Sequence, residues 1–134
     1  MKKKFDKEAI QAISLFEEET NVEVKDYIQD DESAYFLVEE GKAGLAIGKD
    51  GKNIKKIGRL LGKRIKVFEY EDNEEKLVRN MIMEANSVEI NGKTALVEVD
   101  ESDRGRVIGS KGSNIEKVRT LMKRNSGLNE LKLK

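Results

Sequence analysis

The sequence contains no cysteine, no histidine, no proline and no tryptophan, and these absences narrow what the protein can do. Without cysteine there are no disulfide bonds and no thiolate chemistry. Because histidine is missing as well, the serine–histidine and cysteine–histidine pairs used in nucleophilic catalysis cannot form. A zinc site would have to use carboxylates alone, which is unusual for zinc. We therefore predict no catalytic residues, no metal site and no cofactor, and a protein that is not an enzyme.

Long hydrophobic stretches are also missing. No apolar run is long enough to span a membrane, and no secretory signal peptide is recognisable. Hydrophobic residues make up 37% of the 134 residues, which allows one or two small cores, although 39% are charged and only 5% aromatic. These features predict a soluble, cytoplasmic protein that contacts no membrane and has no small-molecule substrate.

The formal net charge is zero, but the basic residues are concentrated in two segments. Residues 42–66 contain nine lysines and arginines and a single acid, Asp50, and residues 104–124 contain seven with Glu116 as the only acid. Clustered positive charge attracts a polyanion such as nucleic acid, while acidic surface elsewhere limits non-specific association. A basic helix can also be no more than a solvated face, and one such segment alone would not distinguish the two interpretations.

The two basic segments belong to an internal repeat. When the sequence is shifted by 61 residues, residues 34–63 align with 95–124 without a gap, and eleven of the thirty positions are identical. This indicates duplication of one unit, and two copies are too few for a solenoid. We predict two domains, residues 1–72 and 73–134, joined by the polar segment 71–75, which has no proline and no flexible Gly/Ser tract.

Hydrophobic periodicity predicts the same order of elements in each unit: a helix, two strands, a short helix, a longer helix and a closing strand. In the first unit they are expected at residues 5–16, 22–28, 35–38, 42–47, 54–61 and 65–67. In the second they are expected at residues 77–85, 88–90, 96–99, 104–108, 115–122 and 131–133. Gly62 is expected to end a helix, and Asn91–Gly92 to form a hairpin turn. Each unit is then an α+β fold, a small three-stranded sheet packed on three helices.

The residues that carry a binding function lie in two loops, Gly-Lys-Asp-Gly at 48–51 and Gly-Ser-Lys-Gly at 109–112. Glycine lets a sugar–phosphate backbone approach closely, and the N–H groups at the start of the following helix favour anions. A Gly-x-x-Gly sequence alone is weak evidence, but here Ile-Gly-x-x-Gly-x-Asn-Ile occurs twice, in register within the repeat. The candidate nucleic-acid-binding residues are Ile47, Gly48, Lys49, Asp50, Gly51, Lys52, Lys55, Ile108, Gly109, Ser110, Lys111, Gly112 and Ser113.

The motifs at 47–54 and 108–115 resemble the signature of KH domains, and the order of elements resembles the type II, or prokaryotic, KH arrangement. The two-unit chain resembles the archaeal relatives of the transcription factor NusA. This resemblance implies that each domain holds about four nucleotides of single-stranded RNA. It also implies a role in termination or antitermination of transcription on nascent RNA, and it allows RNA polymerase as a partner. The acid Asp50 departs from the pattern and is expected to weaken phosphate contact in the first loop.

Two other functions are compatible with the sequence. The same fold could serve ribosome assembly or RNA processing. Alternatively, the loops could have lost RNA binding in a protein–protein adaptor, whose acidic segment at 17–19 would meet a basic partner.

Overall fold

The computed structural model describes residues 5–134, and its contacts divide the chain into one unit that ends at Tyr70 and another that begins at Glu71. Within the described range both units have three α-helices and a three-stranded sheet, which confirms the predicted α+β architecture. No helix among the described residues is long and apolar enough to cross a membrane.

The first unit has a mixed sheet whose order is β1-β2-β3. Its elements are α1 (Lys7–Thr20), β1 (Val24–Gln29), β2 (Ser33–Val38), α2 (Ala43–Ile47), α3 (Lys52–Leu61) and β3 (Arg64–Glu69). The central strand β2 is antiparallel to β1 and parallel to β3. Because parallel neighbours need a crossover connection, α2 and α3 lie between β2 and β3 in the chain and return it to the same edge of the sheet.

The core of the first unit forms where alternate residues of β2 meet the helices. Ala34, Phe36 and Val38 are fully buried, together with Phe16 of α1 and Ile57 of α3. The rings of Phe16 and Phe36 stack with their centroids 4.1 Å apart. The period of two along the strand and the helical spacing in α1 bring these side chains together, so the core follows from the pattern in the sequence.

The second unit repeats the topology, with sheet order β4-β5-β6. Its elements are α4 (Glu74–Met81), β4 (Ala85–Asn91), β5 (Thr94–Val99), α5 (Glu101–Ile108), α6 (Ser113–Asn125) and β6 (Glu130–Leu133). Strand β5 is antiparallel to β4 and parallel to β6. Its core includes Leu77, Val97, Val118 and Leu121, all fully buried.

The repeat is interrupted after the long helix. Ile65 pairs with Ala34 in the first sheet and Leu131 pairs with Ala95 in the second, so the offset between the units grows from 61 to 66 residues. The five additional residues lengthen α6 and the connection to β6, and Leu128 in this connection is buried. The second unit therefore has a longer helix beside its edge strand than the first.

Several predicted element ends in the second unit were wrong. The first helix ends at Met81, because Ile82 leaves the helical conformation with φ −128° and Ala85 already pairs with Val99 in the sheet. Ile82 is buried outside the helix, so its apolar character does not mark a helical position. The hairpin is present, but Asn91 is its last strand residue and the turn is formed by Gly92, with φ +60°, and the residue after it. Helix α5 begins at Glu101 instead of residue 104.

Candidate nucleic-acid interface

Each Gly-x-x-Gly loop is a tight 3₁₀ turn between two helices, and its first glycine has a conformation that side chains rarely adopt. Gly48 has φ 80° and ψ 167°, and Gly109 has φ 80° and ψ 170°. A Cβ atom on Gly48 would lie 2.9 Å from the Asn53 side chain, and one on Gly109 would lie 2.8 Å from the backbone nitrogen of Asn114. Both the backbone conformation and the close approach of the next helix therefore require glycine here.

The second glycine of each loop is needed for a different reason. Gly51 and Gly112 have φ of 73° and 78°, but a Cβ atom would meet no heavy atom closer than 3.7 Å at Gly51 and 3.9 Å at Gly112. The residue before each of them is also left-handed, with φ 55° at Asp50 and φ 54° at Lys111. The second glycine is therefore needed only for the turn itself, and the space outside it is open.

An asparagine at the start of the second helix ties the two helices of each hairpin together. The Asn53 Nδ2 donates to the carbonyl oxygen of Leu45 at 3.2 Å, and the Asn114 Nδ2 donates to that of Val107 at 2.8 Å. These bonds close the helix–loop–helix and fix the loop between two anchored ends. The repeated motif contains this asparagine, but its partner could not be predicted from the sequence, because the bond crosses the loop.

The helices that follow the loops have no side-chain cap at their N-termini. In contrast, Asp6 caps α1 by accepting a hydrogen bond from the Ala9 nitrogen, and Asn73 caps α4 by accepting one from the Lys76 nitrogen. The Lys52 N–H donates to the Lys49 carbonyl oxygen and the Ser113 N–H to that of Ser110, so the first N–H of each helix is used by the loop. The helix dipole gives this end a partial positive charge that favours an anion.

The predicted site residues lie in the loop and at the helix ends that flank it in each unit. Lys49, Asp50, Ser110 and Lys111 are exposed at the tips of the loops, and Lys52 and Lys55 are exposed on the first two turns of α3. Ser113, the first residue of α6, and the flanking isoleucines Ile47 and Ile108 are half-buried. Whether these residues contact nucleic acid stays a prediction.

A groove lies directly beside the loop of the second unit. It has a volume of about 480 Å³, and its apolar wall includes Ile108 and the buried Ile115. Arg104, Glu116 and Arg119 also line the groove. The groove therefore places an apolar wall directly beside the second Gly-x-x-Gly loop.

Several cations of the two basic segments are already engaged within the protein. Lys117 is buried, and its Nζ donates to the Ser113 carbonyl oxygen at 3.0 Å. Ion pairs join Lys56 to Glu19 at 2.9 Å, Arg64 to Glu32 at 3.3 Å and Arg106 to Glu84 at 3.2 Å. The charge left unpaired within the protein is therefore smaller than the sequence count suggests.

The aromatic residues do not form a stacking surface for bases among the described residues. Tyr27 and Tyr35 are buried. Burial, and then the carboxylates Glu8 and Asp6, raise the pKa of Tyr27 well above its usual range. Burial also raises the pKa of Tyr35. Within residues 5–134 no group of three or more carboxylates is arranged to hold a metal ion.

Comparison with known proteins finds two matches to one domain family. A sequence profile of the KH domain matches residues 10–91 and 74–130. "Probable transcription termination protein NusA" of Methanocaldococcus jannaschii is 33% identical over 94% of this chain and 72% of its own length. The protein of that name from Halococcus morrhuae is 34% identical over 93% of this chain and 94% of its own.

A solved structure has the same fold. The crystal structure of APE1850 superimposes with a TM-score of 0.71 at 31% sequence identity, covering 93% of this chain and 96% of that one.

Proposed function

This chain belongs to the KH-domain family, in its NusA-like form with two units, and from that premise we propose that it binds single-stranded RNA through both Gly-x-x-Gly loops. The observation that carries the proposal is the loop geometry: in both units the space outside the second glycine is open and the following helix has no side-chain cap. A phosphate can therefore come close to the loop backbone at the positive end of the helix dipole.

The loop contacts the phosphates of the RNA, and the groove beside it contacts the bases. Phosphates contact the backbone of the glycines and the exposed lysines. Lys49 and Lys111 lie within the loops, and Lys52 directly follows the first loop. Bases lie against the apolar wall formed by Ile108 and Ile115 in the second unit. Each unit holds about four nucleotides, which is the extent of RNA that one KH domain engages.

We infer that the RNA is a nascent transcript and that the protein acts in termination or antitermination. Support comes from the names of the relatives, which are probable transcription termination proteins in several archaea. In this role the protein acts in the cytoplasm as a binding factor without catalysis, and RNA polymerase is its expected partner. A role in ribosome assembly or RNA processing would use the same loops.

The adaptor interpretation has less support, because the acidic segment is engaged within the first unit. The Glu17 carboxylate accepts a hydrogen bond from the Val24 nitrogen at 2.8 Å, and Glu19 pairs with Lys56. Carboxylates held in this way do not form a free acidic surface for a basic partner.

The test is the double variant Lys49→Asp with Lys111→Asp, which reverses one exposed charge in each loop. Because both side chains lie at loop tips, we expect circular dichroism to be unchanged while affinity for an unstructured RNA falls by more than about tenfold in filter binding. A matched control, Lys7→Asp with Lys76→Asp, makes the same change in net charge on exposed first-turn positions of α1 and α4. Equal affinity in the two double variants would contradict the proposal.

A further inference from the structure

The second unit has an acid directly beside its Gly-x-x-Gly loop. Glu116 lies in the first turn of α6, and its Oε1 is 3.9 Å from the position that a Cβ atom on Gly112 would take. In the first unit the aligned residue is Lys55, whose Cε is 3.7 Å from the corresponding position on Gly51. Side chains of opposite charge therefore lie beside the second glycine in the two units.

The Glu116 side chain belongs to the groove beside the second loop, which Ile108 and Ile115 also line. Of the described residues around this groove, Glu116 is the one acid. Its side chain is exposed, and within residues 5–134 its carboxylate makes no ion pair and accepts no hydrogen bond. The carboxylate is therefore available to a ligand that lies against the apolar wall.

A carboxylate distinguishes the bases of RNA because it can only accept hydrogen bonds. The Watson–Crick edge of guanine presents two adjacent donors, N1–H and the N2 amino group, which match the two carboxylate oxygens. Adenine and cytosine present an amino group next to a ring nitrogen that repels the carboxylate. Uracil presents one N–H between two carbonyl oxygens. Guanine is therefore the base that suits Glu116 best.

Arg119, one turn further along α6, lines the same groove and supplies the complementary donor. Its Nε donates to the Leu131 carbonyl oxygen at 3.1 Å, which holds the guanidinium against β6. Its terminal amino groups make no hydrogen bond within the described part of the chain. Guanine has the acceptor O6 next to N1–H, so a donor near the carboxylate fits this base as well. In the first unit the aligned positions hold Lys55 and Gly58, so this acceptor–donor pair occurs at these positions only in the second unit.

We propose that Glu116 is a specificity-determining residue, through which the second unit prefers a guanine base in the groove beside its loop. The Glu116 carboxylate accepts from N1–H and the N2 amino group, and Arg119 donates to O6. This preference rests on the proposed RNA binding and adds base recognition to one of the two sites. Because a carboxylate also repels phosphate, Glu116 weakens the binding of RNA that offers it no guanine. Lys55 in the first unit contacts phosphate, which carries no sequence information.

The test compares the full chain with Glu116→Gln, which removes the charge and nearly keeps the shape of the side chain. Its matched control is Glu8→Gln, which makes the same change at an exposed first-turn position of α1. The probes are uridine oligomers of about seven nucleotides, too short to fill two sites of about four. Each carries uridine, guanosine, adenosine or cytidine at its centre. We expect the wild type and the control to bind the guanosine oligomer about tenfold more tightly than the all-uridine one.

In Glu116→Gln the affinities for these two probes should change in opposite directions. Affinity for the guanosine oligomer should fall about fivefold, because glutamine offers one acceptor and an amino group that opposes the donors of guanine. Affinity for the all-uridine oligomer should rise by up to about twofold, because a negative charge beside phosphate is removed. An acid that serves only the dipole of α6 would shift both affinities in the same direction.

The outcomes separate this inference from the proposed function. A wild-type chain that binds none of the oligomers would overturn RNA binding and the guanine preference with it. Wild-type binding without a preference for guanosine, or a preference that persists in Glu116→Gln, would overturn the role of Glu116 alone. A stronger preference for adenosine or cytidine would overturn the assignment of guanine.

Discussion

The two glycines of each loop look equivalent in the sequence but have unequal structural roles. At Gly48 an added methyl group would collide with Asn53 and the backbone would remain in a region open almost only to glycine. At Gly51 the space is open and only the left-handed conformation is unfavourable. The difference could not be read from the motif, because it depends on how closely the following helix returns to the loop.

This difference predicts unequal losses of stability. We expect Gly48→Ala to lower the free energy of unfolding by about 3 kcal/mol, and Gly51→Ala by about 1 kcal/mol, from the strain and overlap described. Gly44→Ala is the control, because Gly44 lies within α2 at a negative φ with no heavy atom within 4 Å of the added group. There alanine should raise stability by about 0.5 kcal/mol. Urea unfolding measures the stability of all three variants. Equal losses in the free energy of unfolding at Gly48 and Gly51 would show that the Asn53 side chain can move away from the added methyl group at no energetic cost.

The residues of the candidate site could be named from the sequence where they belong to the repeated motif. Those that line the groove beside the second loop could be named only in part. Arg104 and Arg119 lie within the second basic segment, but Lys132 lies outside it. It reaches the groove because the edge strand β6 packs beside α6, which no local pattern encodes.

At the scale of elements, the two helix–loop–helix hairpins differ in the charge at the third loop position. Asp50 and Lys111 have the same backbone conformation, with φ of 55° and 54°, so either residue type is accommodated there. The charge near the next turn is reversed as well, since Lys55 in the first unit aligns with Glu116 in the second. The loops therefore share a geometry and differ in their electrostatics.

Replacing the acid in the first loop should strengthen RNA binding. We expect Asp50→Lys to raise affinity for single-stranded RNA several-fold and to steepen the salt slope by about 0.7, as one more phosphate is neutralised. Asp50→Asn removes the repulsion without adding a contact, so it should give a smaller gain and no change in slope. Filter binding at several salt concentrations distinguishes the variants. A lysine variant no tighter than wild type would mean that no phosphate lies near this position.

Hydrophobic periodicity predicted every α-helix and strand described in the two units, and the errors were confined to their ends. The helix predicted to reach residue 85 was too long because Ile82 is buried without being helical. The pairing of strands, one antiparallel and one parallel, was not predicted, since periodicity alone does not assign partners. The five additional residues in α6 and the connection after it could be counted in the sequence only once the strands were known to align.

At the scale of the whole molecule, the chain joins its units by a short segment. Strand β3 ends at Glu69 and α4 begins at Glu74, so four residues separate the elements of the first unit from those of the second. When one unit has bound a strand of RNA, a short connection keeps the other at a high effective concentration near the same strand. The two units should therefore bind long RNA more tightly than either does alone.

The dependence on RNA length tests this cooperation. We expect the affinity of the full chain to rise steeply once an unstructured oligomer exceeds roughly eight nucleotides, the length needed for two sites of about four. In the single variants Lys49→Asp and Lys111→Asp this second rise should be largely abolished, because one loop no longer contributes. A titration series by fluorescence anisotropy measures it. Should either single variant follow the wild-type curve at every length, the units would bind independently.

The unequal charges of the two loops also bear on which loop a short strand of RNA would occupy under the proposed function. Residues 48–55 carry three lysines and one acid, whereas residues 109–116 carry one lysine and one acid. With two identical sites, a strand too short to reach both loops would divide equally between them. With unequal charge the two sites would fill in a fixed order, which two identical units could not impose.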